Sequence, residues 1–146
     1  MASWAEFEAA EPDFARRVRA LLTTRKHLTM ATLRRSGAPR ISGTEVQLVD
    51  GELRIGSMTG AVKALDLRRD ARVAIHGPTH DPTGTGRWRG EAKVAGRAVE
   101  VESGDSSHVF RIDLDEVVIT HLNDKRDKLV VESWNLRRGY RKVERD

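Results

Sequence analysis

From Leu28 onward the chain is a succession of short runs rich in β-branched residues, punctuated by the turn signals Ser36-Gly37, Asp50-Gly51, Ser103-Gly104-Asp105 and Asn123-Asp124. No other feature restricts the fold as much. Strands joined by turns this short pair antiparallel, because a parallel pair needs a connection of about a dozen residues or more. The spacing predicts strands over 28–34, 39–49, 52–56, 72–76, 88–102, 107–122 and 128–134, with a last short one near Tyr140. Asp50-Gly51, between two alternating runs, is the strongest hairpin signal, since a type I′ turn needs positive φ at both central positions.

Only one stretch inside this series, about Gly60 to Arg69, reads as helix. A βαβ layered fold would alternate helices with strands, so a single inserted helix favours a closed or nearly closed barrel. The first 25 residues are helical in texture. Ser3 and Glu6 stand at capping-box spacing, Glu11-Pro12-Asp13 suits a second helix start, and Phe14, Val18, Leu21 and Leu22 recur at helical intervals opposite Arg16, Arg17 and Arg19. So narrow an apolar face belongs to a helix laid against a larger body. The expected architecture is mainly β: one domain over residues 1–146, with an N-terminal helical segment (1–25) and a six- to eight-stranded antiparallel barrel (26–146) carrying the inserted helix. A chain of 146 residues can bury one such core unaided.

Composition removes several chemistries. There is no cysteine, which excludes disulfides, thiolate metal sites and cysteine nucleophiles. No apolar run is long enough to span a membrane, and the first twenty residues lack a signal-peptide core, so a cytoplasmic protein is expected. The net charge is +4, with 26 basic residues set against 22 acidic ones and only seven aromatic residues among them. That mixture offers no stacking platform, and neither a nucleic-acid nor a membrane partner is expected. The five histidines are scattered; His76 and His80 are linked by Gly-Pro-Thr, a turn composition, so no metal site is expected. No Gly-x-Ser-x-Gly or His-Glu-x-x-His occurs, and Asp113, Asp115 and Glu116 lie along an alternating strand as a solvent face would.

The segment Gly56-Ser57-Met58-Thr59-Gly60-Ala61-Val62-Lys63 carries the clearest chemical signal. It joins a strand end to the inserted helix, and helix-terminal N–H groups, hydroxyls, two glycines and a lysine suit a phosphate. It is not a Walker A loop, which would place the lysine directly after the second glycine. The same residues also suit a plain helix start in which Thr59 caps the helix and Lys63 is solvated.

The order of Leu28–Ala38, Pro39-Arg40-Ile41-Ser42, the Asp50-Gly51 hairpin, Lys63-Ala64-Leu65-Asp66-Leu67-Arg68-Arg69-Asp70, Ala71–Ile75 and Gly90–Val99 resembles the pyridoxamine 5′-phosphate oxidase-like superfamily of FMN- and deazaflavin-binding split β-barrels. The resemblance runs from about Lys26 to Val101. It implies a homodimer with two cofactor sites at the subunit interface. It would place Lys63 on the cofactor phosphate, assisted by Ser57, Met58, Thr59 and Gly60, and Arg40, Ser42, Gly43 and Thr44 beside the ring system. Gly43 replaces a larger polar residue and Ala71 a common proline of that pattern, and the Arg-Leu-x-Pro motif of true pyridoxamine phosphate oxidases is missing. A vitamin B6 oxidase is therefore disfavoured.

The implied function is an oxidoreductase that uses FMN or the deazaflavin coenzyme F-420, passing hydride to or from a small organic substrate without a dedicated acid or base. The alternative is a non-catalytic protein that holds flavin or haem, for which His27, His76 and His121 are the candidate axial histidines. Trp88 and Trp134 are expected at the dimer interface or groove rim, or else in the monomer core.

Overall fold

The computed structural model describes residues 1–82, 88–103 and 107–146. Two helices, α1 (Trp4–Ala10) and α2 (Pro12–Leu22), precede β1 (Leu28–Leu33), β2 (Pro39–Thr44), β3 (Val46–Val49) and β4 (Glu52–Met58). Then come α3 (Val62–Arg69), β5 (Arg72–His76), β6 (Glu91–Ser103), β7 (Ser107–Leu122), β8 (Leu129–Asn135) and β9 (Gly139–Arg145). Among the described residues nine strands form one antiparallel sheet, ordered β2-β1-β5-β6-β7-β4-β3, with β8 also on β7 and β9 on β8. The predicted hairpin is present, with φ of 53° at Asp50 and 72° at Gly51.

The ninth strand arises because the predicted 39–49 run is divided at Glu45: β2 pairs with β1, while β3 turns to pair with β4. The in-and-out alternation keeps its phase across the corner, with Ser42, Thr44, Val46 and Leu48 on the less exposed side, and Thr44-Glu45-Val46 carries no turn residue to mark it. The strand predicted from residue 88 begins instead at Glu91, leaving Trp88 outside the ladder.

The sheet forks along β7. Its first part pairs with β4, from Ser107↔Met58 to Ile112↔Leu53, and its last part with β8, from Val117↔Trp134 to Leu122↔Leu129. Between the two parts the β6–β7 register slips at Ala95/Gly96, a bulge that sharpens twist where the strand changes partner. Only glycine fits there, since a Cβ on Gly96 would lie 1.8 Å from the Asp113 carbonyl oxygen.

The core fills the concave side of this bent sheet and is closed by the N-terminal helices. The capping box forms as predicted, with Ser3 Oγ accepting from the Glu6 N–H at 3.1 Å and the Glu6 carboxylate accepting from the Ser3 N–H at 3.2 Å. Phe7, Phe14, Val18 and Leu22 are buried with Met30, Leu53, Ile55, Ile75, Phe110, Ile112, Leu114 and Val117. Trp134 belongs to this core too: it is 2% exposed, with its ring centroid 4.9 Å from that of Phe7. Its expected place at an interface or groove rim is thereby corrected, because the α1 face covers the part of the sheet where β8 sits. Trp88 is half-buried within the protomer.

A buried carboxylate locks α2 to the C-terminal hairpin. Glu132 on β8, with its side chain 4% exposed, accepts two bonds from Arg17 (2.7 and 2.8 Å), one from Tyr140 Oη (2.5 Å) and a 2.8 Å contact from His121 Nε2. The Arg17 bonds, outweighing desolvation, hold its carboxyl down at about 2.

Candidate functional site

At the end of β4 the chain makes a tight turn. The Ala61 N–H donates to the Met58 carbonyl at 3.0 Å, and Gly60, at the third position, takes φ of 76°. A type II turn requires that positive φ, so glycine is needed. α3 starts immediately afterwards with Ala61 as its N-cap, and the cap has no side-chain hydrogen bond. Thr59 is therefore not the cap that the sequence suggested, because the turn places it two residues too early.

Lys63, in the first turn of α3, reaches across to β2 and donates to the Gly43 carbonyl at 2.7 Å. An ammonium has three hydrogens, so two remain for an anion after that bond. Beneath it lies a hollow of about 510 Å³, lined by the β2–β3 corner (Gly43, Thr44, Glu45, Gln47), the β4 end (Ile55, Gly56, Ser57, Met58), Ser107 and Val109 of β7, and by His27, Arg54 and Lys63. That volume lies in the range of small-molecule sites. Arg54 and Lys63 bring positive charge to it, Arg54 being paired with Glu52 at 2.8 Å, and Glu45, 3.7 Å from His27 and 3.8 Å from Lys26, opposes them at one side.

Of the expected cofactor residues, the fold brings Gly43, Thr44, Ser57, Met58 and Lys63 together in this lining. Ser42, Thr59 and Gly60 are neighbours in the chain but do not line the hollow. Arg40 is engaged elsewhere, donating through Nε at 2.7 Å to Asp66, a buried carboxylate on α3. Asp66 also accepts from Thr32 Oγ1 at 2.7 Å and from Arg69 at 3.1 Å, and Arg69 donates besides to the Leu33 carbonyl. Burial alone would raise the Asp66 carboxyl, yet the bonds from Arg40, Thr32 and Arg69 outweigh it and hold it below its ordinary value. This node fixes α3 against β1 and β2, and so fixes the direction from which Lys63 enters.

Ser107 and Val109 join the site through the β4–β7 pairing, remote in sequence, whereas Gln47 and Arg54 are partners across the β3–β4 hairpin and His27 lies just before β1; none of the five was among the residues that the resemblance placed at the cofactor. A second depression, apolar and about 440 Å³, crosses β2, β1, β5, β6 and β7, with Ala31, Ile41, Ala74, Ala95 and Val118 in its floor; Ile41 is 75% exposed. Both ring nitrogens of His121 are engaged, by the Leu122 carbonyl (2.9 Å) and Glu132 (2.8 Å), and His76 Nδ1 lies 2.7 Å from the Gly77 carbonyl. Among the described residues no three metal-binding side chains converge, and no helix is long and apolar enough to cross a membrane.

Solved structures share this arrangement. A pyridoxamine 5′-phosphate oxidase-related, FMN-binding protein of Nostoc punctiforme superposes with a TM-score of 0.66 at 12% identity, over 93% of this chain and 96% of its own. PhzG of Burkholderia lata, solved with tetrahydrophenazine-1-carboxylic acid, gives 0.67 at 10% identity over 97% and 92%. HutZ, a haem storage protein of Vibrio cholerae, gives 0.54 at 17% identity over 72% and 89%. No family model matches the sequence, and no curated protein matches it. The fold is the split β-barrel of pyridoxamine 5′-phosphate oxidase-related proteins, as the sequence resemblance implied.

Proposed function

We propose that this chain binds FMN or the deazaflavin coenzyme F-420 with a phosphate against the turn that precedes α3, and that it acts as an oxidoreductase on a small organic substrate. The observation that carries this reading is the convergence of Ser57 and Met58, before the β4–α3 turn, and Lys63, after it, on one hollow of about 510 Å³. The donor set fits an anionic group: a lysine ammonium, a serine hydroxyl and helix-terminal N–H groups are phosphate ligands by chemistry. When bound, the cofactor supplies the hydride chemistry.

The chain's own residues do the holding. Lys63 would meet the phosphate with the two hydrogens left by Gly43, and Ser57, whose hydroxyl donates to the Met58 carbonyl at 3.2 Å, would turn to donate beside it. Gly43, with no side chain, leaves the β2 backbone open to a flat ring, and Thr44 lies next to it. Arg40 acts through Asp66 by fixing α3, which differs from the ring-side place that the resemblance implied. A second copy of the chain laid on the apolar depression would bury Ile41 and complete a homodimer, and an exposed apolar face of this kind is the usual mark of such contacts.

Titrating the purified protein with FMN and with F-420 tests the reading, and saturable binding of either one is expected. Reoxidation of the bound, reduced cofactor by quinones or enones would separate an oxidoreductase from a protein that only stores flavin.

A further inference from the structure

His108 sits on β7 between Ser107 and Val109, which line the hollow; its own side chain is only 6% exposed and does not line it. A buried imidazole needs partners at both nitrogens. Nε2 lies 3.3 Å from the Gly60 backbone nitrogen. Nδ1 lies 3.0 Å from Glu100 Oε2 and 3.1 Å from Arg68 Nη2. A backbone N–H can only donate, so Nε2 must accept. The ring is then the neutral tautomer with its proton on Nδ1, and that proton goes to Glu100. Arg68 donates to the same carboxylate through Nε at 3.0 Å and Nη2 at 3.1 Å, so the Nδ1 proton and two guanidinium hydrogens share Glu100 as acceptor.

The bonds therefore run from Arg68 in the last turn of α3, through Glu100 on β6 and His108 on β7, back to Gly60 just before α3 begins. The bond to Gly60 falls on a mechanically special group. The Thr59–Gly60 peptide is the central peptide of the type II turn, and its rotation by half a circle is what converts type II into type I. Because N–H and C=O point oppositely in a trans peptide, such a rotation exchanges a donor for a carbonyl oxygen on each side of the turn.

We infer that His108 is a positioning residue for the candidate phosphate site: its Nε2 lone pair fixes the orientation of the Thr59–Gly60 peptide, with the tautomer set by Glu100. The consequence for affinity rests on the flavin reading above, whereas the anchoring does not. His108→Leu removes the acceptor. His108→Gln restores one, since its Oε1 stands the same number of bonds from Cβ as Nε2. Glu100→Ala leaves Nδ1 facing only the donor Arg68, so the proton moves to Nε2 and the Gly60 bond is lost with the histidine still present.

The experiment measures, by nuclear magnetic resonance on ¹⁵N-labelled protein at neutral pH, the His108 tautomer and the exchange rate of the Gly60 amide, alongside FMN and inorganic phosphate titrations. The expected result is an Nδ1-protonated ring and a protected Gly60 amide in the parent and in His108→Gln. In His108→Leu and Glu100→Ala the protection is lost and FMN binds about three- to tenfold more weakly, with His108→Gln within about twofold of the parent. An Nε2-protonated ring in the parent, Gly60 exchange unchanged in both loss variants, or equal FMN affinity in parent and loss variants would overturn the inference. If His108→Leu does not fold, Glu100→Ala makes the same comparison. If the parent binds neither FMN nor phosphate while tautomer and exchange behave as expected, the flavin reading fails and the anchoring of the turn stands.

Discussion

Asp66 and Glu132 are both buried, both accept from an arginine, and both tie a helix to the sheet, yet only Asp66 lies beside the candidate site. Asp66 joins α3 to β1 and β2 directly behind Lys63. Glu132 joins α2 to β8 and β9; neither carboxylate lines the hollow, but Asp66 shares α3 with Lys63, whereas β8 and α2 contribute nothing to the lining. Both carboxylates are held below their ordinary values, and at the remote node Glu132 stands at about 2 with its partner Tyr140 pushed up to about 12. Perturbed ionisation often marks functional sites, but the Glu132 node is a structural clasp; the candidate site is proposed from the concavity and the donors that line it.

Separating the two nodes by mutation sharpens that contrast. Arg17→Met keeps the stem against Phe14 and removes the charge, leaving Glu132 short of its main partner. Loss of one partner of a buried pair costs about 3–5 kcal/mol, and since Arg17 is one-third exposed we expect about 2–3 kcal/mol in urea unfolding. FMN affinity should stay within about twofold of the parent. Asp66→Asn should cost less stability, about 1–2 kcal/mol, and should weaken FMN several-fold by loosening α3. If Arg17→Met weakened FMN as much as Asp66→Asn, the division into clasp and site would be broken.

The acid limb of stability gives a third test. Glu132 is lowered from an ordinary 4.5 to about 2, so its contribution is complete above the unfolded value and is lost as pH falls from 4.5 through about 2. Chemical denaturation over that interval should show stability falling with pH, with a smaller slope in Glu132→Gln. A smaller effect concerns Tyr140, the only tyrosine in the chain, so phenolate absorbance reports it alone. Burial first, and the bond to Glu132 second, raise it from 10 to about 12. The neutral phenol is the form the fold favours, so this contribution is present below 10 and is lost as pH rises through about 12. Glu132→Gln should bring the midpoint back toward 10.

What could be read from the residues alone was what is local in the chain. The capping box at Ser3, the Asp50-Gly51 turn, the span of α3 and the contiguous Ser57, Met58 and Lys63 all depend on neighbours a few positions apart. The Glu45 corner was hidden because Thr44-Glu45-Val46 carries no turn residue, and the fork in β7 because its partners β4 and β8 are set by pairing remote from β7's own sequence. Ser107 and Val109 enter the lining by strand pairing across about fifty residues, as Ser57↔His108 shows. Arg40 was placed beside the ring system by the resemblance alone, and its bond to Asp66, 26 positions away, cannot be read from the neighbours of either residue.

The central claim, that the hollow under α3 holds the phosphate of a flavin-type cofactor, is tested most directly by equilibrium titration of FMN and F-420 into the parent protein, Lys63→Ala and Arg68→Ala. The account predicts binding by the parent tighter than about 100 μM for at least one cofactor and a ten- to hundredfold loss in Lys63→Ala, the cost of one charge-assisted bond. The loss of the Gly43 contact should lower stability by no more than about 1 kcal/mol. Failure of both cofactors to bind the parent would contradict the account, as would a Lys63→Ala that binds as tightly as the parent while Arg68→Ala does not.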